Sequence, residues 1–339
     1  VIGDTPDTRQ ERIGLLPNQE YYGEKPKLQQ FIIQTFRDEG RMVQSFERGE
    51  LNAMAGLSTL SDDLKNNDAH EHNIPITGES MVFFRTSHEI LNDVKVRQAL
   101  VHAVNVPELV RGIGYPAIIS NSPLLDNMIG YDKTLTQLPY NVAQANSLLD
   151  QAGWIKGTDG IRAKGGKNLT FRLVAQNTSE NVYTSGKVQK YWRDVGVDAQ
   201  VSLPNDTDIQ GIVNRHDYDA LLYGISLGND PDVFPYWHSS QADPRSSSRL
   251  NLSEYKSPPA DKSLEAGRTR SDPALRAVKY RPFLEAWRND APAIALYQPR
   301  FVYVTRGVLY NFEPTVINSA TDRYANVTNW MIRQTKTIK

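Results

Sequence analysis

Between positions 218 and 240 the chain gathers its most chemically capable run of side chains. An apolar stretch, Ala220-Leu221-Leu222-Tyr223-Gly224-Ile225, leads into Ser226-Leu227-Gly228-Asn229-Asp230-Pro231-Asp232 and then Val233-Phe234-Pro235-Tyr236-Trp237-His238. Read as a strand and the loop that leaves it, this is where ligands sit in open α/β sheets, outside the carboxyl ends of the strands. Gly228 lets backbone approach a bound molecule, Asn229 and Asp230 offer donors and acceptors, and the aromatics offer apolar walls. The same residues also spell ordinary turn chemistry, with Trp237 as plain core. Composition alone divides the two readings evenly.

Other reactive groups are sparse. His70 and His72 flank Glu71 and would chelate a metal only with a further ligand; in a polar stretch they read as solvated loop. His102 falls between the apolar positions of a helix, and His216 sits at a helix end, where it favours the macrodipole. His238, beside Trp237, is the histidine with site character. The chain has no Gly-x-Ser-x-Gly elbow, His-Glu-x-x-His, phosphate loop or Gly-x-Gly-x-x-Gly. Acid pairs such as Asp62-Asp63 and Asp217/Asp219 are expected in any chain with 39 acidic residues and default to caps and exposed faces. Cysteine is absent, which removes disulfides, thiolate chemistry and cysteine-bearing metal sites. An enzyme remains an alternative: an α/β hydrolase working through Asp230, Asp232 and His238.

Charge narrows the partners. With 38 basic against 39 acidic residues the net charge is −1, and phosphate backbones need a clear basic excess, so nucleic acid is not expected. No apolar run approaches the roughly 20 residues that cross a bilayer. At 339 residues the chain exceeds the roughly 250–300 at which one core stops growing, so more than one packed unit is expected.

The elements that must position the 218–240 segment follow from periodicity. Positions 31–36 read as a strand, Asp38-Glu39 open a helix carrying Val43 and Phe46, Gly49 stops it, and 50–54 return as a strand, a compact β-α-β unit. Positions 58–73 are polar with one short helix. Met81-Val82-Phe83-Phe84 is a buried strand. Asn92 or Asp93 caps a helix with Val96, Ala99, Leu100, Ala103 and Val104 on one face, and Asn105, Pro107 and Glu108 mark the next helix start. Positions 115–140 lack periodicity and read as a long surface loop. Asn141 caps a helix ended by Gly153, and a hairpin surrounds Ile161-Arg162-Ala163. Strands at 169–175, 197–203 and 218–225 alternate with helices at 184–195 and 207–215, which implies parallel pairing. Asp272-Pro273 opens a helix that Pro282 should kink or end, and 293–304 reads as two strand segments interrupted by Pro299.

The order of these segments resembles the extracellular solute-binding receptors of ABC importers, in the family 5 group of oligopeptide, dipeptide and nickel receptors. The resemblance is carried by Tyr21-Tyr22-Gly23-Glu24-Lys25-Pro26-Lys27-Leu28, then Asp38-Glu39, Phe46 and Gly49-Glu50-Leu51-Asn52-Ala53. It continues through Val94-Lys95-Val96-Arg97-Gln98-Ala99-Leu100, Ala103-Val104-Asn105, Tyr140-Asn141, Ala145, Leu148-Leu149 and Ala152-Gly153-Trp154. It closes with Asp230-Pro231-Asp232, Ala291-Pro292-Ala293-Ile294 and Leu296-Tyr297-Gln298-Pro299. It implies an α/β, two-lobed, periplasmic-binding-protein-like (type II) architecture with hinge strands. Residues 88–304 would form the C-terminal lobe, and 1–87 with 305–339 the remainder of an N-terminal lobe incomplete in this chain.

The function implied is a non-catalytic receptor that captures a solute, a peptide before other solutes, and delivers it to an ABC permease by hinge closure. It would be a monomer, extracellular or cell-envelope associated, periplasmic or lipid-anchored, with no cofactor and no metal. Tyr223, Gly224, Ser226, Leu227, Gly228, Asn229, Asp230 and Trp237 are expected to line the site. Beyond Val1-Ile2-Gly3, which lacks the family's following Gly-Pro-Tyr, the sequence departs from the family's peptide receptors in two places within this segment. Their aspartate that pairs with a peptide's amino group is matched by Leu227, and a tryptophan early in the strand by Gly224. Loss of such a charged hydrogen bond is worth about 1.5–3 kcal/mol, roughly one to two decades in affinity. Asn229 or Asp230 would have to substitute, or the ligand is a longer peptide or another solute. A surface interaction module reusing the receptor fold is a third reading.

Overall fold

The computed structural model describes residues 11–57, 69–230, 232–245, 249–313 and 316–332. The acid pair Asp62-Asp63, most of the polar stretch expected to hold a short helix, and Pro231 lie outside the described residues. The chain forms two compact units, Thr77–Ile113 with Ala117–Pro299, and Val1–Ile76 with Gly114–Pro116 and Arg300–Lys339.

In the larger unit the strands run in the order Asp198–Ser202, Thr170–Ala175, Ala220–Ser226, Gly78–Phe84 and the first half of Ala293–Arg306. The first three are parallel, as their alternation with helices dictates. Gly78–Phe84 is antiparallel to both of its neighbours and so lies between two strands of this unit. That pairing draws the unit's boundary back to Thr77 from the expected 88, and the far boundary falls at Pro299 instead of 304. Because successive strand residues face opposite ways, the sheet builds two cores. Val82, Phe84, Leu173 and Leu222 pack with residues of helices Val94–Ala103, Val142–Gln151 and Ser179–Asp194. Met81, Phe83, Val174 and Leu221 pack with Asp206–Arg215, Pro258–Arg268 and Pro273–Asp290.

Caps start the helices where the sequence placed them. Asp93, Asn105, Asn141 and Asp272 each accept a backbone N–H of their own first turn. Four expectations are corrected. The helix expected at 184–195 begins at Ser179, capped by Thr178, so its polar first turn is helical. Positions 115–140 are not a surface loop. Leu124, Leu125, Met128 and Leu135 are buried, and the Gln137 side chain bonds both the N–H and the C=O of Ala295 at 3.0 Å, beside a register shift in that strand. Pro282 lies inside an unbroken helix, Pro273–Asp290. The Ala293–Arg306 strand runs through Pro299, where it changes partners from Ala117–Ile119 to Ala69–Pro75. Helix Pro258–Arg268 was not anticipated.

In the smaller unit, Phe31–Gln34 and helix Glu39–Glu47, capped by Asp38, form as read, but not as a β-α-β unit. Phe31–Gln34 pairs with Arg12–Leu15, and Ala53–Ala55 pairs with Tyr303–Thr305, both antiparallel. His70 and His72 are on a strand, Ala69–Pro75, paired with Arg300–Arg306, and not in a solvated loop. The His72 Nε2 lies 3.2 Å from Thr305 Oγ1 and its ring meets Phe312 edge-on.

Candidate binding segment around Gly224

The strand Ala220–Ser226 ends in a loop, as the sequence predicts, and its neighbours fix which side chains are available. Ile225 pairs with Glu79, Gly224 with Ser80 and Ser226 with Gly78. Tyr223, half-buried, and Ile225 and Leu227, buried, face the core that holds Trp237. Gly224 and Ser226 face the opposite side and are exposed. A Cβ built at Gly224 would meet no atom within 4 Å, so the strand has open space there. Leu227 donates its N–H to the Thr77 carbonyl at 2.7 Å, which extends the ladder one residue past the strand. Gly228 then turns with φ +70°, a conformation L-residues rarely hold, and Asn229 and Asp230 are exposed.

Two arginines hold the loop. Arg276, buried in helix Pro273–Asp290, grips both oxygens of Asp230, with Nη1 to Oδ2 at 3.1 Å, and Nη2 also reaches Tyr280 Oη at 3.3 Å. Arg268 pairs with Asp232 at 2.8 Å and lies over the Phe234 ring, 4.2 Å from its centroid. Asp230 is therefore neutralised by a forked pair and offers a solute no spare charge.

Trp237 requires a correction. Expected among the wall residues, it is 0% exposed, stacked on Phe83 at 5.8 Å and edge-on to Trp287 at 5.9 Å. It fills the core of its own unit and has no face left for a ligand. Leu227, at 6% exposure, likewise offers its backbone more than its side chain. His238 does not join Asp230 and Asp232. Its Nδ1 accepts the Ser240 N–H at 3.1 Å and faces Ser240 Oγ at 2.8 Å, its Nε2 faces Glu265 at 3.3 Å, and its ring stacks on Phe234 at 4.0 Å. The arrangement caps a short 3₁₀ turn, Ser239–Gln241. Among the described residues no group of three metal-ligating side chains converges.

Residues that the sequence reading passed over lie beside Gly224. Ser80 faces it on one side and pairs with Tyr297 on the other, so Gly224, Ser80 and Tyr297 form one row across three strands. Helix Ser179–Asp194 sets Glu180 and Thr184 against Tyr297. Burial, and after it the charge of Glu180, pushes the Tyr297 hydroxyl well above the usual phenol range. Glu79, one position along, is 1% exposed and accepts from the Ser120 hydroxyl; burial holds its carboxyl well above the usual carboxylate range.

An α/β unit with parallel strands, helices on both faces and a polar loop at the carboxyl end of a strand is an arrangement that the two-lobed periplasmic binding proteins share with other doubly wound folds. The sequence profile of "Bacterial extracellular solute-binding proteins, family 5 Middle" matches residues 7–246, and the chain belongs to this family. Among curated relatives, the oligopeptide-binding protein AppA of Bacillus subtilis is 27% identical over 325 residues, covering 89% of this chain and 58% of its own length. The dipeptide-binding protein of Escherichia coli is 23% identical over 81% of this chain and 51% of its own length. Among solved structures, NikZ from Campylobacter jejuni, in complex with Ni(L-His), superposes with a TM-score of 0.78 at 26% identity, over 94% of this chain and 65% of that one. AppA from Bacillus subtilis, in complex with a nonapeptide, gives a TM-score of 0.74 at 22% identity, over 98% and 65%. The chain thus spans 58% and 51% of the two curated relatives and 65% of each of these solved chains. No helix among the described residues is long and apolar enough to cross a membrane.

Proposed function

We propose that this chain is part of an extracellular substrate-binding receptor that delivers a solute, a peptide before other solutes, to an ABC-type importer by hinge closure. The observation that carries the reading is family membership across residues 7–246, together with relatives named for oligopeptide and dipeptide binding. In this reading the larger unit is the C-terminal lobe and the smaller unit belongs to the N-terminal lobe. The protein works as a monomer outside the membrane, with an ABC permease as its partner.

The solute-facing residues are Gly224, Ser226, Asn229 and Asp230, with Tyr223 and Gly228 at their edges. Backbone groups at the end of the strand pair with the solute much as a sheet edge does. The receptor is not catalytic in this reading. Asp230 and Asp232 are committed to arginines and His238 to a cap, which leaves the hydrolase alternative without a converging set.

Calorimetry of the full-length protein against a defined hexapeptide pool, with the pool analysed by mass spectrometry afterwards, tests both points. The expected result is saturable binding and an unchanged pool. Cleaved peptides would reject the non-catalytic reading, and absence of heat with every pool would reject the peptide reading.

A further inference from the structure

The strand Ala220–Ser226 has a second face, and the chemistry on it differs from that of the loop. Gly224, Ser80 and Tyr297 stand in register on three neighbouring strands, a row about 10 Å wide at ordinary strand spacing. At one end, Gly224 leaves open space. At the other end, Tyr297 Oη and Thr184 Oγ1 are fully buried and approach each other, Ser80 and Glu180, though neither closes a hydrogen bond of normal geometry among the described residues. Buried hydroxyls are almost always satisfied, and a donor received among these three hydroxyls and the carboxylate would complete their bonding. Glu180 approaches the same Tyr297 hydroxyl and forms no ion pair among the described residues.

We infer that Glu180, Thr184, Ser80 and Tyr297 form a subsite for an ammonium group of the solute, entered beside Gly224. Three hydroxyls can each turn a lone pair toward a tetrahedral N–H donor, and the carboxylate supplies the opposing charge. An anionic group would meet Glu180 with like charge, and an apolar group would leave both hydroxyls unsatisfied. The loop cannot supply this charge, because Asp230 is already held by Arg276. The inference rests on the receptor reading and names the chemistry of its site. A peptide's amino terminus and a lysine side chain both carry such an ammonium, and the test separates them.

The test uses the full-length protein freed of bound solute, and three hexapeptide pools: free-amino without lysine, N-acetylated without lysine, and N-acetylated with lysine. Calorimetry is expected to show at least one of the two amine-bearing pools binding tenfold or more tighter than the amine-free pool. Which one does so identifies the source of the ammonium. Glu180→Gln, and separately Tyr297→Phe, should reduce that preference below threefold while the melting temperature holds within a few degrees. Equal binding of all three pools by the wild type, or a preference that survives both substitutions, overturns the subsite and leaves the receptor reading standing. A peptide-free arm separates the two ideas. Fifty-millimolar-scale n-butylammonium (on the order of saturating for a single charged contact) should raise the melting temperature more than n-butanol does, and Glu180→Gln should abolish the difference. If no peptide pool binds but this shift is present, the subsite stands and the peptide reading falls. If the shift is absent as well, the subsite falls.

Discussion

The Ser263 hydroxyl accepts the Phe283 N–H at 3.0 Å and donates to the Lys279 carbonyl at 2.5 Å. One side chain from helix Pro258–Arg268 thus stands in the gap of an i→i−4 bond next to Pro282. A proline inside a helix removes one bond and crowds the preceding turn. Here the neighbouring pair of groups is satisfied from outside the helix, which explains why it runs on unbroken to Asp290.

Ser263→Ala should therefore leave a buried N–H and C=O facing each other, at about 1–3 kcal/mol. Urea unfolding is expected to show a lower midpoint with an unchanged slope. In a Pro282→Ala background, where the helix can close its own bonds, the cost of Ser263→Ala should shrink. An equal cost in both backgrounds would refute the bridging role.

Arg162 is a second buried fastener. Its guanidinium reaches the Val195 carbonyl at 2.8 Å, the Trp154 carbonyl at 2.6 Å, Asp150 Oδ1 at 2.5 Å and Asn146 Oδ1 at 2.7 Å. Lysine cannot reproduce that fork, so Arg162→Lys should cost about 2–4 kcal/mol. Gly196 has φ +88°, and a Cβ there would sit 2.8 Å from Arg162 Cγ and 3.0 Å from the Gly160 carbonyl. Gly196→Ala should destabilise on its own, and Arg162→Lys should not relieve it, because lysine keeps the Cγ that the new methyl group meets and the positive φ remains. Thermal melts of the three variants decide this.

Burial raises the Glu79 carboxyl in the folded state. The stability it confers is full below the unfolded value, near 4.3, and is lost as pH rises toward the folded value. Glu79→Gln keeps an oxygen for the Ser120 hydroxyl and removes that loss. The melting temperature of Glu79→Gln relative to wild type should climb between pH 5 and pH 8, by about 2–4 °C for each kcal/mol relieved. A pH-independent difference would mean that the carboxyl is ionised in the folded protein.

His72 runs the other way. Burial first, and then the charge of His70, lowers its pKa in the folded state. Its neutral form is the folded form, so its contribution is present above about 6.5 and is lost as pH falls through the depressed value. Acidification from pH 7.5 to 5.5 should weaken the smaller unit, and His72→Gln should flatten that dependence. Limited proteolysis within residues 69–76 and 300–306, followed with pH, is the measurement.

Asp230→Asn breaks the forked pair with Arg276, but at an exposed carboxylate, so its effect on global stability should stay within about 1 kcal/mol. Solute affinity should change less than it does in Glu180→Gln. If Asp230→Asn had the larger effect on affinity, the loop and not the second strand face would hold the charged group.

The helices and most strands were legible because their signals are local. Asp38, Asn105, Asn141 and Asp272 cap the first turns they immediately precede, and the apolar periodicity of 94–104 and 142–152 directly names the buried faces. Pro282 and the segment 115–140 misled for the complementary reason. A serine nineteen positions before Pro282 (282 − 263) bridges the backbone beside it, and Ala295 gives Gln137 a partner that spacing alone does not reveal.

The amino-acid sequence by itself determined the family, the alternating strand–helix order and the segment from Tyr223 to Asp230 as the place to look. Tertiary structure decided which of those residues have a free face. Trp237 and Leu227 turn into the core because odd and even strand positions, and the helices packed on them, divide the sheet into two sides. Asp230 is paired with an arginine 46 positions away, while Ser80 and Tyr297 come into line with Gly224 through strand register and helix Ser179–Asp194 brings Thr184 to Tyr297. These strands pair with partners distant in sequence, so no hairpin turn fixes their register, and strands buried on both faces show little of the alternation from which it could be read.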